Sequence, residues 1–195
     1  MAKPNGVSKQ ELIQYAKECL VEKGTEKFTL RAVADTAGVT QGTIYYHFRT
    51  KEQLLLSIVE DICEKSWYEI SKSNTYVLKQ AIASAKSRCS YNSFFHQLFI
   101  LMTAASFKNE KIRNQLSEIM QAENQALSEN LLKIWPASPV HGVSMEAWGI
   151  MFNAMVDGLA MQALLQKDFP VEKVYQEFEQ IIEALTNLSE KEAAE

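Results

Sequence analysis

The first 55 residues are punctuated in a way that leaves few folds open. Ser8, Thr29, Thr40 and Thr50 each stand just before a run of helical periodicity, where a short polar side chain can accept the first free backbone N–H groups. Ser8-Lys9-Gln10-Glu11 and Thr50-Lys51-Glu52-Gln53 are capping boxes, with the acidic or amide residue placed to reach back to the cap. Helix one is expected from Ser8 to Lys23, with Leu12, Ile13, Ala16, Cys19 and Leu20 on its apolar face and Gly24 at its end. Helix two opens at Thr29 and ends at Gly38. After the turn Gly38-Val39-Thr40, a third helix runs to His47 or Phe48. A longer helix opens at Thr50 and reaches Trp67 and beyond.

The remainder is less sharply marked. Helices are expected near 75–88, 92–106 and 109–135, followed by a loop at Pro136–Gly142. Ser144 and Glu146 open a helix to about Lys167, and Asp168-Phe169-Pro170 leads into a last helix over 170–188. The polar tail SEKEAAE is expected to fray. With only 7 Gly and 4 Pro in 195 residues, the chain favours an all-α fold over a turn-rich β architecture. The expected division is a small head, residues 1–50, and a larger helical body, residues 51–195.

Charge separates the same two parts. Net charge is −4, yet residues 1–55 carry eight Lys/Arg against six Asp/Glu, and the rest of the chain is acidic. A basic head on an acidic body points to a polyanionic partner at one end only. No secretory leader follows the first lysine, and the longest apolar stretch, Phe94–Phe107, is too short to span a bilayer, so a cytoplasmic protein is expected, with no membrane partner. The three cysteines, Cys19, Cys63 and Cys89, are widely spaced and form no CxxC, which fits buried thiols better than a disulfide or zinc site. No motif calls for a cofactor or metal. The histidines His47, His96 and His141 lie far apart and no HExxH, GxSxG or Walker loop is present, so an enzyme is not expected.

Helices two and three, joined by a glycine-bearing turn, form a helix-turn-helix pattern. At 100° per residue, Phe48 lies about 40° from Ile44, and the pair makes a buried face. Gly42, at about 160°, and Tyr46, at about 200°, fall on the opposite face, flanked by Thr43 and Tyr45 with His47 at the edge. A helix start offers free N–H groups and a positive dipole end to phosphate oxygens, and a glycine there lets the backbone approach closely. Gln41, at the tip, carries the donor and acceptor that read a base edge.

The segment TLRAVADTAGVTQGTIYYHFRTKEQLL, within a match over about residues 8–56, resembles the N-terminal signature of the tetracycline-repressor (TetR) family of bacterial transcriptional regulators. The resemblance implies a three-helix DNA-binding domain and a larger helical domain that binds a small molecule and dimerises. It assigns base contacts to Gln41, Gly42 and Tyr45, and phosphate contacts to Thr29, Thr40, Thr43, Tyr46, His47 and Lys51, with Arg31 and Lys9 as further phosphate partners. It also implies a homodimer through the last two helices, paired as a four-helix bundle. Two reading helices related by a two-fold axis, about 34–36 Å or slightly more apart, read a palindromic operator on double-stranded DNA.

The body is rich in aromatics and methionines. These fill either an ordinary core or a ligand cavity between helices. The candidate ligand-binding residues are Trp67, Tyr91, Phe95, His96, Phe99, Met102, Met120, Trp148, Phe152 and Met155. Asp157 lies in an otherwise apolar helix, and its Asp-Gly-Leu triplet is common in the family. It either pairs with a cationic ligand or is bonded locally. The expected function is a ligand-responsive dimeric repressor, with the helix that opens at Lys51 as the lever. The alternative is a DNA-binding protein of the same fold without small-molecule input.

Overall fold

A computed structural model describes residues 6–71, 77–91 and 93–192. Among these residues the secondary structure is α1 (Lys9–Lys27), α2 (Leu30–Ala37), α3 (Gln41–Phe48), α4 (Lys51–Ser71), α5 (Val77–Arg88), α6 (Phe94–Ser106), α7 (Glu110–Leu131), α8 (Met145–Leu165) and α9 (Val171–Glu192). No strand occurs among them, so the all-α expectation holds. The chain forms two compact units. The first comprises Met1–Ile62 and Leu98–Leu116; the second comprises Cys63–Gln97 and Ser117–Glu195. The boundaries fall within α4, α6 and α7.

In the first unit the caps form as expected. The Ser8 hydroxyl accepts from Glu11 N–H, and the Glu11 carboxylate accepts from Ser8 N–H at 2.9 Å. Thr29 accepts from Ala32 N–H at 3.0 Å, and Thr40 accepts from Thr43 N–H at 3.3 Å. Gly24 has φ 71°, and one further turn runs from it to Lys27. Gly38 ends α2 in the left-handed region, φ 65° and ψ 30°, with the N–H of Val39 bonded back to Ala34 O at 3.0 Å. The second capping box forms by half. Thr50 Oγ1 accepts from Gln53 N–H at 3.1 Å, but the Gln53 amide turns away and donates to Gln115 Oε1 at 2.6 Å. Leu12, Ala16, Phe28, Val33, Ile44, Leu54 and Ile58 are fully or almost fully buried. Beside them, Lys17 and Gln10 of α1 both bind the buried Asp61 of α4.

In the second unit α5 packs on α9, and a core gathers around Trp135, Phe152, Tyr175 and Phe178. Trp148 stacks on Phe152 with ring centres 5.6 Å apart. α7 ends at Leu131, four residues before the expected end. The chain there turns through Trp135 N–H bonded to Leu131 O, which buries the indole completely and lets Nε1 donate to Thr186 Oγ1 at 2.8 Å. α8 starts at the Ser144 cap, as expected. α9 continues past Leu188, since Ser189 is buried and donates to Ala137 O at 3.2 Å. The start of the expected helix at 75–76, Asn92, and the tail beyond 192 lie outside the described residues.

Gly149 fixes the approach of α8 to α7. A Cβ there would stand 2.6 Å from the Asn124 carbonyl oxygen, a backbone atom. On either side, Asn153 Nδ2 donates to Asn124 Oδ1 at 2.8 Å and Ser128 Oγ to Met145 O at 2.8 Å. By length and composition α8 could also cross a bilayer, and only 28% of its apolar window is buried. Ile150, Met151, Met155, Met161 and Leu165 leave much of that apolar surface exposed.

Candidate nucleic-acid interface

α3 is anchored by two side chains. Ile44 is fully buried and Phe48 is 3% exposed, each worth about 1.5–3 kcal/mol by removal from water. Their spacing turns the other face outward. Tyr45 is 52% and Tyr46 70% exposed, with Gln41 and Gly42 exposed at the helix start and Thr43 and His47 half-buried. Large aromatic rings with this much exposure are not holding the core. The Thr40 and Thr43 hydroxyls share a hydrogen bond of 3.1 Å beside the free N–H groups of the first turn. A Cβ at Gly42 would meet only Thr40 Oγ1, at 3.5 Å. Glycine is therefore not required there by neighbours within the chain, and any need for it comes from what approaches outside.

The remaining candidates are distributed differently. Thr29 caps α2, and Arg31 is exposed in its first turn. Lys9 is exposed at the start of α1. Lys51 is half-buried. Its Nζ donates to Thr25 O at 3.0 Å and lies 5.8 Å from the Phe28 ring centre, so it ties α4 to the end of α1. Thr40, Gln41, Gly42, Thr43, Tyr45, Tyr46 and His47 thus share one short helix and its cap. Arg49 was not among the candidates. It follows α3 with φ 64° and ψ −48°, and is exposed. A backbone of this kind costs about 1–3 kcal/mol.

The second unit holds a cavity of about 70 Å³. Its wall is largely apolar, with Arg88, Glu123, Asn153 and Asp157 at the polar side. Of the ten ligand candidates, Trp67 and Phe152 line it. Trp148 stacks behind Phe152 and donates from Nε1 to Ser138 Oγ at 3.0 Å. Phe95 is buried beneath the Arg88 guanidinium, 5.1 Å from its ring centre. Phe99 and Met102 belong to the first unit, Met120 is half-buried, and Tyr91 and Met155 are 50% and 41% exposed.

His96 is buried, and its Nδ1 lies 3.1 Å from Arg88 O. A carbonyl only accepts, so the tautomer that bonds Arg88 O is the one with its proton on Nδ1; the Ser93 hydroxyl also lies 3.3 Å from this nitrogen. Nε2 has no hydrogen-bond partner and stands 3.7 Å from Asp157 Oδ1, an ion-pair distance once it is protonated. Glu123 is 8% exposed and lies beside Cys63, whose thiol is pushed well above the ordinary thiol range by burial first and by this carboxylate second. Burial likewise raises Tyr175, whose hydroxyl makes no hydrogen bond of good geometry. Sequence reasoning missed Arg88 and Glu123, since nothing local distinguishes them from surface charges on α5 and α7.

Residues 8–58 match the family model described as bacterial regulatory proteins, tetR family. Over 56 residues the chain is 34% identical to the HTH-type transcriptional repressor KstR2 of Mycolicibacterium smegmatis, covering 29% of this chain and 27% of that protein. Over 108 residues it is 28% identical to the HTH-type transcriptional repressor AcnR of Corynebacterium diphtheriae, covering 55% of this chain and 57% of that protein. The chain thus matches about a quarter to somewhat over half the length of these curated relatives. Its fold is similar to that of a TetR transcription regulator from Haloarcula marismortui, with TM-score 0.69 and 16% identity over 90% of this chain and 96% of that one.

Proposed function

From the premise that the chain's N-terminal domain belongs to the tetR family of bacterial regulatory proteins, we propose a dimeric transcriptional repressor that binds a palindromic operator and is released by a small molecule. The observation that carries this reading is the outer face of α3. Two exposed tyrosines, an exposed glutamine and a glycine stand around the free N–H groups of a helix start, with no function in the core. Gln41, Gly42 and Tyr45 face base edges in the major groove. Thr29, Arg31, Thr40, Thr43, Tyr46 and His47 take phosphates, which fix register without reading sequence. Lys51 acts by holding α4 to Thr25, and its charge adds to the field at the phosphates.

The second copy covers the exposed apolar residues of α8 and α9, among them Met151, Met155, Met161, Ile181 and Leu188. The inducer enters the cavity of the second unit, with Trp67 and Phe152 against its apolar part. It acts by binding two states of the dimer with different affinity, with α4 as the lever. A second reading, DNA binding without small-molecule input, is favoured by one observation. Ligand pockets ordinarily measure about 300–1,000 Å³, and this cavity is about 70 Å³. An inducer that uses this cavity must therefore find or create a more open state.

Mobility-shift titration with duplexes from upstream of the protein's own gene and its neighbours tests the first part. A retarded band that is lost in Tyr45→Ala/Tyr46→Ala supports it, and equal binding by that variant contradicts it. A thermal-shift screen separates the two readings. A compound that raises the melting temperature and releases the duplex supports induction, whereas binders without effect on the duplex favour the second.

A further inference from the structure

The turn between α3 and α4 is closed by Thr50 N–H donating to Phe48 O at 2.7 Å, two residues back. With Arg49 at φ 64° and ψ −48°, this is a γ-turn of the positive-φ kind, which is rare and strained for any residue with a side chain. Among the described residues Arg49 is the only one other than glycine with positive φ. The turn leaves the guanidinium carbon 5.4 Å from the ring centre of Tyr45 and 5.9 Å from that of Tyr46. Among the described residues no carboxylate pairs with it.

We propose that Arg49 is itself a DNA-binding residue, which braces Tyr45 and Tyr46 and contacts a backbone phosphate beside them. The inference rests on the DNA-binding reading and adds a residue to it. A guanidinium over an aromatic ring uses its face, and the N–H groups in its plane stay free for phosphate oxygens. One group therefore limits the motion of both exposed rings and supplies a fixed positive charge next to them. The Lys51 ammonium is already committed to the Thr25 carbonyl, which leaves Arg49 as the exposed cation of this turn. The strain in the backbone is the cost of aiming the side chain back over α3. A glycine would make the same turn without strain.

The test uses the purified full chain and a labelled duplex of mixed sequence, about three helical turns long. Affinity is read by fluorescence anisotropy between about 50 and 200 mM salt. Arg49→Gly relieves the strain and removes the charge, so its melting temperature equals or exceeds that of the parent while its affinity falls. With one fewer phosphate neutralised by each head of a dimer, the fall in affinity over that salt range narrows by about tenfold. Arg49→Gln, which keeps a side chain at the strained position, gives the same narrowing, and Arg49→Lys keeps the parental salt dependence. Parental affinity and salt dependence in both the Gly and Gln variants would overturn the proposal. A Lys variant as salt-insensitive as the Gln variant would remove the phosphate-binding role. If the parent chain binds no duplex at low salt, the DNA-binding reading fails and this inference fails with it.

Discussion

The two units of this chain distribute polar and apolar groups in opposite senses. In the first, α3 sits on aliphatic and aromatic residues and turns Gln41, Tyr45, Tyr46 and Arg49 to solvent. In the second, Glu123, Asn153 and Asp157 are buried or half-buried around an inner cavity, with His96 buried beside Asp157, while Met151, Met155, Met161 and Leu165 are exposed on α8. Outward hydrogen-bonding groups suit a large charged partner that arrives from solvent. Inward polar groups in an apolar wall suit a small molecule that is enclosed, since each is held away from water and needs a partner there. Exposed apolar side chains along two helices suit a second protein surface. The contrast is the physical basis for assigning three different partners to one chain.

The contrast can be broken from either side. The largest effect is expected from Phe48→Ala, which empties the anchor under α3. Loss of a buried phenylalanine costs about 3–5 kcal/mol. DNA retention should disappear while most of the helical circular dichroism remains, and retention at the parental level would show that α3 is held by something other than Ile44 and Phe48. Gly149→Ala acts on the second unit. Its Cβ meets a backbone oxygen at 2.6 Å, and overpacking of this kind costs about 1–3 kcal/mol. A lowered melting temperature checks this, and an unchanged one would mean that α7 and α8 move apart freely.

Thr40→Ala is a smaller change at the tip of the reading helix. It removes the acceptor for Thr43 N–H and the hydroxyl pair with Thr43, a loss of about 1 kcal/mol in helix stability. Urea unfolding measures that loss, and on the proposed role of Thr40 as a phosphate contact DNA affinity should fall beyond it. The smallest expected effect is an absence of reaction at Cys63. Alkylation needs the thiolate, and burial with Glu123 alongside raises the thiol pKa, so at mildly alkaline pH the folded protein holds the proton. Mass spectrometry after iodoacetamide treatment should find Cys63 unmodified until urea unfolds the chain. Rapid modification of the folded protein would mean that the surroundings of Cys63 and Glu123 are open to water.

How legible each region was in the sequence follows from the range of the forces that shape it. The caps at Ser8, Thr29 and Thr40 are hydrogen bonds between residues three apart, so residue type and spacing nearly determine them. The orientation of Ile44 and Phe48 against Tyr46 follows from helical periodicity alone. Gln53 marks where local reasoning ends, because its amide prefers Gln115, 62 residues away, to its own cap. The end of α7 depends on Trp135 meeting Thr186, 51 residues on. The cavity is harder still. Aromatic and methionine side chains mark a core without saying which of them border empty space, and only Trp67 and Phe152 of the ten candidates line it. Arg88 and Glu123 become cavity residues through packing that no local pattern encodes. Arg49 carries no sign of its positive φ, since that angle is imposed by the joining of α3 to α4.

Selection of duplexes from a random library with the purified chain tests the central claim most directly. The account predicts enrichment of an inverted repeat whose half-site centres lie about one DNA turn, or slightly more, apart. It also predicts that Gln41→Ala recovers the same repeat with preference relaxed by about 1–3 kcal/mol at one position of each half-site. A library that stays random, or an enriched sequence without two-fold symmetry that Gln41→Ala leaves unchanged, would contradict it.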